Sequence, residues 1–164
     1  MGAQVGALYS SSSFTGRHSS NESETLNLMS VYGYRRDASL AESFRWGEGL
    51  IGTCARQRSR VLVSEIPAEY PRVASALGEA APRQILFVPI LFENSLVAVM
   101  ELATLGSFTE LQMTLLDQLS FNVGVIMNSI NASMRTQELL EEAKQIAEEL
   151  QRSEERSFSV VRKS

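Results

Sequence analysis

The chain is poor in the residues that build disulfides and metal sites. It has one cysteine, Cys54, and one histidine, His18, among 164 residues. A single cysteine cannot form an intramolecular disulfide, and two such ligands are too few for a thiolate zinc site. The sequence therefore predicts no structural metal and no disulfide framework. This is typical of a protein in a reducing, cytoplasmic setting.

The chain also lacks an excess of positive charge and lacks long apolar runs. Its formal net charge is −4, whereas a chain built to bind nucleic acid is usually basic. No stretch approaches the roughly 18 to 20 apolar residues that span a bilayer. The N-terminus has neither the charged nor the apolar region of a signal peptide. We predict one globular domain with no nucleic-acid partner and no direct membrane span.

Motifs for kinase chemistry are absent as well. His18 lies in the Ser-rich segment 10–23, which we interpret as a loop, and not on a helix that could carry a phospho-acceptor. The chain contains no glycine-rich phosphate loop of the G-x-x-x-x-G-K type. We therefore do not expect this chain to be an enzyme by itself.

What the sequence does contain is a series of strand patterns. The predicted strands cover residues 3–10, 24–34, 60–66, 84–92 and 95–104. The first two predict a long-looped antiparallel hairpin, and the last two predict a tight hairpin around Glu93-Asn94. In the second strand, alternation places Leu26, Leu28, Tyr32 and Tyr34 on one face.

Helical patterns separate and follow these strands. A short helix is predicted over 49–57 and a long one from Thr109 onward, with a long connection over 67–83. Strands do not alternate regularly with helices, which argues against a parallel doubly wound sheet. We predict an α+β fold in which helices pack on one face of an antiparallel sheet.

The second half of the long helix has heptad spacing. Its repeating apolar positions are Leu139, Ala143, Ile146 and Leu150. Such a 4-3-4 pattern is typical of a dimeric coiled coil, and the alternative is a solvated helix with a modest apolar stripe. A helix of more than about 40 residues exceeds what one small domain can bury. We therefore expect a homodimer through this segment.

Several separated stretches resemble a GAF domain, the small-molecule sensor module of many signalling proteins. They are 45-RWGEGLIGTCA-55, 84-QILFVPILFENSLVAVMELAT-104 and 109-TELQMTLLDQL-119, and the similarity runs from about Gly2 to Gln151. The stretches 66-IPAEYPRVASALGEAAPRQILFVPI-90 and 128-NSINASMRTQELLEEAKQIAEELQ-151 are similar to GAF domains of bacterial hybrid sensor histidine kinases.

This resemblance implies a domain organisation. It implies a GAF sensory domain over 1–134 that lacks the family's usual first helix, and a signalling coiled-coil helix over 135–156. We expect a disordered tail over 157–164. The related proteins continue into a kinase, so the resemblance implies a fragment, a truncated gene product or an engineered end. It implies a cytoplasmic domain with a histidine kinase output domain in the full-length protein, which is either membrane-anchored or not.

The resemblance also implies a ligand site between the sheet and the side formed by the short helix and long connection. The candidate pocket residues are Trp46, Cys54, Tyr70, Arg83, Glu101 and Tyr32. Each has a plain structural alternative: the aromatic residues as packing, Arg83 as a solvated cation, Glu101 as an outward-facing side chain. The sequence does not identify the ligand or any cofactor. A cyclic nucleotide is disfavoured because the Asn-Lys-Phe-Asp-Glu set of cyclic-nucleotide-binding relatives is missing.

Two local features around the short helix have alternative interpretations. Cys54 is either a small buried hydrophobe, which we favour, or a redox-active thiol. The bilin attachment seen in phytochrome-like relatives is disfavoured because Ala55 follows it instead of histidine. The turn Gly47-Glu48-Gly49 either gives a tight entry to the helix, which we favour, or binds an anion. The remaining functional alternative is a dimerisation scaffold whose pocket is filled by its own side chains.

Overall fold

Alternating apolar residues build most of the strands into one antiparallel sheet. The computed structural model describes residues 3–15, 24–34, 40–66, 70, 72–75 and 78–161; His18 lies outside them. The strands are β1 (Val5–Ser11), β2 (Thr25–Tyr32), β3 (Ser43–Arg45), β4 (Val61–Val63), β5 (Val73–Ser75), β6 (Gly78–Ala80), β7 (Gln84–Phe92) and β8 (Ser95–Thr104). Six of them form a sheet in the order β3-β2-β1-β8-β7-β4, and β5 pairs with β6.

Within the described residues, three helices accompany the strands. They are α1 (Ser12–Thr15), α2 (Gly49–Gln57) and α3 (Glu110–Val161). The short predicted helix is confirmed at the predicted bounds, and α3 begins one residue after Thr109. Thr109 accepts a hydrogen bond from the Gln112 amide, which satisfies one free donor of the first turn. The predicted antiparallel sheet with a long C-terminal helix is confirmed.

The chain divides into two units, residues 1–128 and 129–164. The first contains the sheet, α1, α2 and the beginning of α3. The second contains the rest of α3, in which residues 132–156 are all exposed. The sequence analysis placed the boundary after residue 134. Backbone of residues 157–161 is helical, which corrects the predicted disordered tail over these residues.

The hairpin of β7 and β8 forms because its turn residues accept a left-handed backbone. Glu93 and Asn94 have φ of 45° and 66°, the arrangement that matches the twist of paired strands in a two-residue loop. The register runs from Gln84 opposite Thr104 to Phe92 opposite Ser95. This confirms the hairpin that the sequence predicted.

A β-bulge changes the face of the sheet on which the later side chains of β2 lie. Tyr9 lies opposite Leu28, but Leu8 lies opposite Ser30, so Met29 is an extra residue in β2. An extra residue reverses the alternation beyond it. Tyr32 therefore lies opposite Gly6, on the other face from Leu26 and Leu28. The prediction that Tyr32 shares their face was wrong for this reason.

The two faces of the sheet bury different sets of residues. Ile85 and Phe87 of β7 belong to a core cluster with Ile51 and Cys54 of α2. The alternating residues Leu86 and Val88 pack instead against Met113 and Leu116 of α3. Helix α2 thus lies on one face and the first part of α3 on the other. The fold class stands, but the expectation that the helices share one face is corrected.

Helix α3 approaches the sheet closely because a glycine permits it. A Cβ atom added to Gly124 would lie 2.2 Å from the carbonyl oxygen of Leu91 in β7. Only a residue without a side chain allows this separation. This close approach fixes the position of the first part of α3 relative to β7.

Three short strands were not predicted from the sequence. Strand β3 pairs with β2, with Phe44 opposite Leu26. Strands β5 and β6 pair within the long connection, for which the sequence predicted no strand. Their few residues leave no alternating pattern long enough to detect. Val73 of β5 is buried in the same core cluster as α2, so part of this connection packs on the sheet.

Candidate functional site

A buried carboxyl group lies at the centre of the face that α2 shares. Glu101 is in β8, between Ala7 of β1 and Phe87 of β7, and only 8% of it is exposed. Burial raises the pKa of its carboxyl group to about 7, because the charged form loses hydration. The hydroxyl of Tyr70 donates a hydrogen bond to Glu101 Oε1. The interior of this face therefore holds a carboxyl group whose pKa lies near neutrality.

Two further tyrosines belong to the surroundings of Glu101. Burial, and then the Glu101 charge, raise the pKa of Tyr9 to about 12. The same two causes, together with Tyr9, raise the pKa of Tyr34 as well. Both hydroxyls are therefore neutral at physiological pH. Tyr9 also packs edge-on against Phe44, with ring centroids 5.4 Å apart. The acid thus lies in a largely aromatic environment.

Trp46 contributes a further aromatic ring to this face. It follows β3 directly, is half-buried, and packs against the cluster that contains Tyr9 and Cys54. Its backbone amide bonds the carbonyl oxygen of Glu24, and its carbonyl accepts a hydrogen bond from Arg56. Its indole Nε1 is buried and has no partner among the described residues. Because buried donors are normally satisfied, this nitrogen is free to meet a ligand atom.

Hydrogen bonds between Glu48 and Arg45 stabilise the glycine turn before α2. The Glu48 carboxylate accepts a hydrogen bond of 2.8 Å from the Arg45 amide, and the Glu48 amide donates to the Arg45 carbonyl. Gly47 and Gly49 both have positive φ. A carboxylate therefore already lies at the turn, which supports the tight-entry interpretation over anion binding.

Cys54 points into the core from α2. It is fully buried, and burial raises the pKa of its thiol to about 12. The thiolate is the reactive form, so this environment works against nucleophilic or redox chemistry. Its position among Ile51, Ala55 and Val73 fits the packing interpretation.

Two of the predicted pocket residues lie away from this site. Arg83 is exposed, and its backbone amide bonds the Thr104 carbonyl. Tyr32 is 74% exposed and lies on the opposite face because of the bulge in β2. There it borders an open apolar groove of about 300 Å³, whose lining includes Leu102 and Leu119. The structure brings together Trp46, Cys54, Tyr70 and Glu101, but not Arg83 and Tyr32.

Sequence reasoning missed Tyr9 and Tyr34 as parts of this site. A signal existed for Tyr9, since it alternates with Val5 and Ala7 along the inward face of β1. Alternation did place Tyr34 on the face of Leu26, and Tyr34 packs against that cluster, although the bulge and the positive φ of Gly33 interrupt the alternation before it. Only the register of β1 on β8 shows that these residues lie on the same face as Glu101.

Comparison with known proteins agrees with this fold. A family model described as "GAF domain" matches residues 1–128, and the chain belongs to the GAF domain family. The family resemblance inferred from the sequence is thereby confirmed. A search of curated proteins found no match.

Solved structures of GAF domains share the fold at low identity. The GAF domain of an Acinetobacter phosphoenolpyruvate-protein phosphotransferase has a TM-score of 0.60 at 15% identity, covering 81% of this chain and 75% of that one. The GAF-B domain of DevS from Mycobacterium smegmatis has a TM-score of 0.58 at 17% identity, covering 83% and 88%. The type II free methionine-R-sulfoxide reductase of Thermoplasma acidophilum has a TM-score of 0.54 at 12% identity, covering 80% and 81%.

GAF domains are regulatory domains that bind a small molecule or a partner. At such identities the likeness establishes the fold only, and the relatives include both phosphotransferase and reductase proteins. Among the described residues, no helix combines the length and the apolar character needed to cross a membrane.

Proposed function

We propose that the chain is the sensory GAF module of a two-component signalling protein. It binds a small molecule at the face formed by α2, Tyr70 and Glu101, and it has no catalytic activity of its own. The signal passes along α3, paired with α3 of a second copy, to a histidine kinase domain. The kinase context rests on the sequence resemblance, and a cytoplasmic location rests on the cysteine-poor composition.

The buried acid carries the sensing part of this proposal. Glu101 is costly to bury, and a buried acid that no cation neutralises usually has a functional reason. Trp46, whose indole Nε1 has no partner among the described residues, packs on the same core face, which α2 and Val73 also cover. A polar site of this kind, enclosed by apolar side chains, is typical of small-molecule recognition.

The exposure of apolar side chains along α3 supports the dimeric output. Leu139, Ile146 and Leu150 are 66%, 59% and 62% exposed, and they repeat at heptad spacing. Leaving three large apolar side chains in water is unfavourable by about 1.5 to 3 kcal/mol each relative to burial. A second α3 with the same stripe would bury all of them.

Native mass spectrometry of the protein purified from cells tests the sensing part. We expect a co-purifying small molecule that is released on unfolding and is lost in a Glu101→Ala or Trp46→Ala variant. Retention of the same molecule in both variants, with folding intact, places its site elsewhere and contradicts the proposal.

Light scattering at micromolar concentrations tests the dimer. We expect a dimer for the full chain and a monomer for the double variant Ile146→Asn/Leu150→Asn. Glu141→Asn/Glu148→Asn is the matched control, because it makes the same substitution twice at outward positions of the heptad. A monomeric full chain, or a dimer in both variants, contradicts dimerisation through this stripe.

A dimerisation scaffold without a ligand is the second candidate. It is favoured by the Tyr70–Glu101 hydrogen bond, which lets the protein satisfy its own buried acid. A dimer that never carries or binds a small molecule in the experiment above supports it. A Cys54 redox sensor has less support, because burial holds that thiol protonated.

A further inference from the structure

The Glu101 carboxyl group has a single hydrogen-bond partner among the described residues, the Tyr70 hydroxyl. The described arginines nearest in sequence to the elements of this face, Arg45, Arg56, Arg72 and Arg83, are all exposed. None forms an ion pair with Glu101 in the described part of the chain. When it ionises, this acid is therefore a buried negative charge that no cation among the described residues balances.

Aromatic rings, rather than cations, approach this acid from several elements. Tyr9 comes from β1, Tyr34 from the end of β2, Tyr70 from the connection, and Phe87 lies beside Glu101 on β7. The face of an aromatic ring carries negative potential and attracts cations. The described surroundings of Glu101 thus supply aromatic side chains and no positive charge.

The other titratable groups of this face do not supply positive charge either. Tyr9, Tyr34, Tyr70 and Cys54 are neutral or negative in every protonation state. An anionic ligand, such as a phosphate or a carboxylate, would meet the acid, and no cation of the described residues lies there to hold it. Trp46 Nε1 is a donor, but one neutral donor does not offset that repulsion.

We propose that this site binds a small organic cation, an ammonium compound whose charged head contacts Glu101 between the aromatic rings. The ligand takes the place of the Tyr70 hydroxyl at the carboxylate, or lies beside it, and supplies the positive charge that the site lacks. A carboxylate with aromatic walls is a recurring arrangement for ammonium recognition. The inference rests on the sensory function proposed above and names the ligand class for the same site.

The proposed ligand class predicts that the binding affinity depends on pH. A cation with a fixed charge binds the ionised form of Glu101, whose pKa is about 7. Its affinity is therefore full above pH 7 and falls as the acid is protonated. We expect binding to be about tenfold weaker at pH 6 than at pH 8.

Calorimetric titration of the full chain tests the proposal with two matched pairs of probes. They are choline with its uncharged isostere dimethylbutanol, and benzylamine with benzyl alcohol. We expect at least one ammonium probe to bind at pH 8 about tenfold or more tightly than its uncharged partner. Glu101→Gln keeps the shape and removes the charge, and it should abolish that preference and its pH dependence. Glu65→Gln, at an exposed position, should retain both.

The outcomes separate this inference from the sensory function. If neither ammonium probe is preferred over its isostere in the wild-type protein, the cation site is overturned. If the small molecule released from purified protein is neutral or anionic, the sensory function stands and the cation site falls. If the preference persists in Glu101→Gln, the charge acts elsewhere and the assignment to Glu101 is wrong.

Discussion

The hydroxyl of Tyr70 donates a hydrogen bond to the carboxyl group of Glu101, 31 residues further along the chain. One residue belongs to the connection before β5, and the other to the central strand β8. The bond therefore ties the connection to the sheet at the acid itself. A change in the charge or the partner of Glu101 therefore directly affects the hydrogen bond between this connection and the sheet.

The Tyr70–Glu101 bond makes a measurable contribution to stability. Tyr70→Phe removes the donor and leaves the buried carboxyl group without a partner among the described residues. We expect the free energy of unfolding in urea to fall by about 1 to 2 kcal/mol. Tyr32→Phe is the control, because that side chain is 74% exposed and its hydroxyl is hydrated. Equal stability of the two variants contradicts the contact.

Glu101 should make stability depend on pH. Its pKa is raised in the folded state from 4.5 to about 7, so the folded protein binds a proton that the unfolded chain releases. The stabilisation is full below about pH 4.5 and is lost as pH rises through 7. The loss reaches about 3 kcal/mol, at 1.36 kcal/mol for each pKa unit.

Urea titrations at several pH values and fixed protein concentration measure this effect. The difference in free energy of unfolding between wild type and Glu101→Gln isolates the contribution of this acid. We expect Glu101→Gln to gain relative stability from pH 5 to pH 8. Parallel curves for the two proteins show that the acid is solvated or paired, contrary to the structure.

Gly124→Ala should destabilise the domain although alanine favours helices. In an exposed helix the substitution gains about 1 kcal/mol, but here the added methyl group collides with the Leu91 carbonyl. We expect a net loss of about 1 to 3 kcal/mol in the free energy of unfolding. Gly106→Ala is the control, since its nearest atom would be 3.8 Å away. A stabilised Gly124→Ala protein shows that α3 does not approach β7 closely.

Cys54 should resist alkylation in the folded protein. The thiol is fully buried and its pKa is raised to about 12, so very little thiolate is present at pH 8. We expect iodoacetamide to label it in mass spectrometry only after urea is added. Rapid labelling of the native protein would restore the redox-sensor hypothesis.

Much of the architecture could be predicted because its signals are local. The β7–β8 hairpin follows from two apolar runs around Glu93-Asn94, and α2 from helical spacing after a pair of glycines. The beginning of α3 follows from a repeat of three and four residues. Each signal lies within a window of a few turns or one hairpin, so no tertiary information is needed.

The candidate site was only partly predictable because its members are separated in sequence. Glu101 and Tyr70 were nominated from the family resemblance, and the structure brings them together. Tyr9 was missed because its relation to Glu101 depends on the register of β1 against β8. Tyr32 was misplaced because one extra residue, Met29, reverses the alternation of β2.

The sequence by itself determined the fold family, the main strand and helix boundaries, and the heptad pattern of α3, since period and turn chemistry are properties of short segments. Only the tertiary structure decided which face each strand presents, that α2 and the start of α3 lie on opposite faces, and that Glu101 is buried among tyrosines. These depend on strand register and on close approaches such as that of Gly124 to Leu91. Both are set by packing between segments that are distant in sequence. Local sequence preferences do not predict such packing.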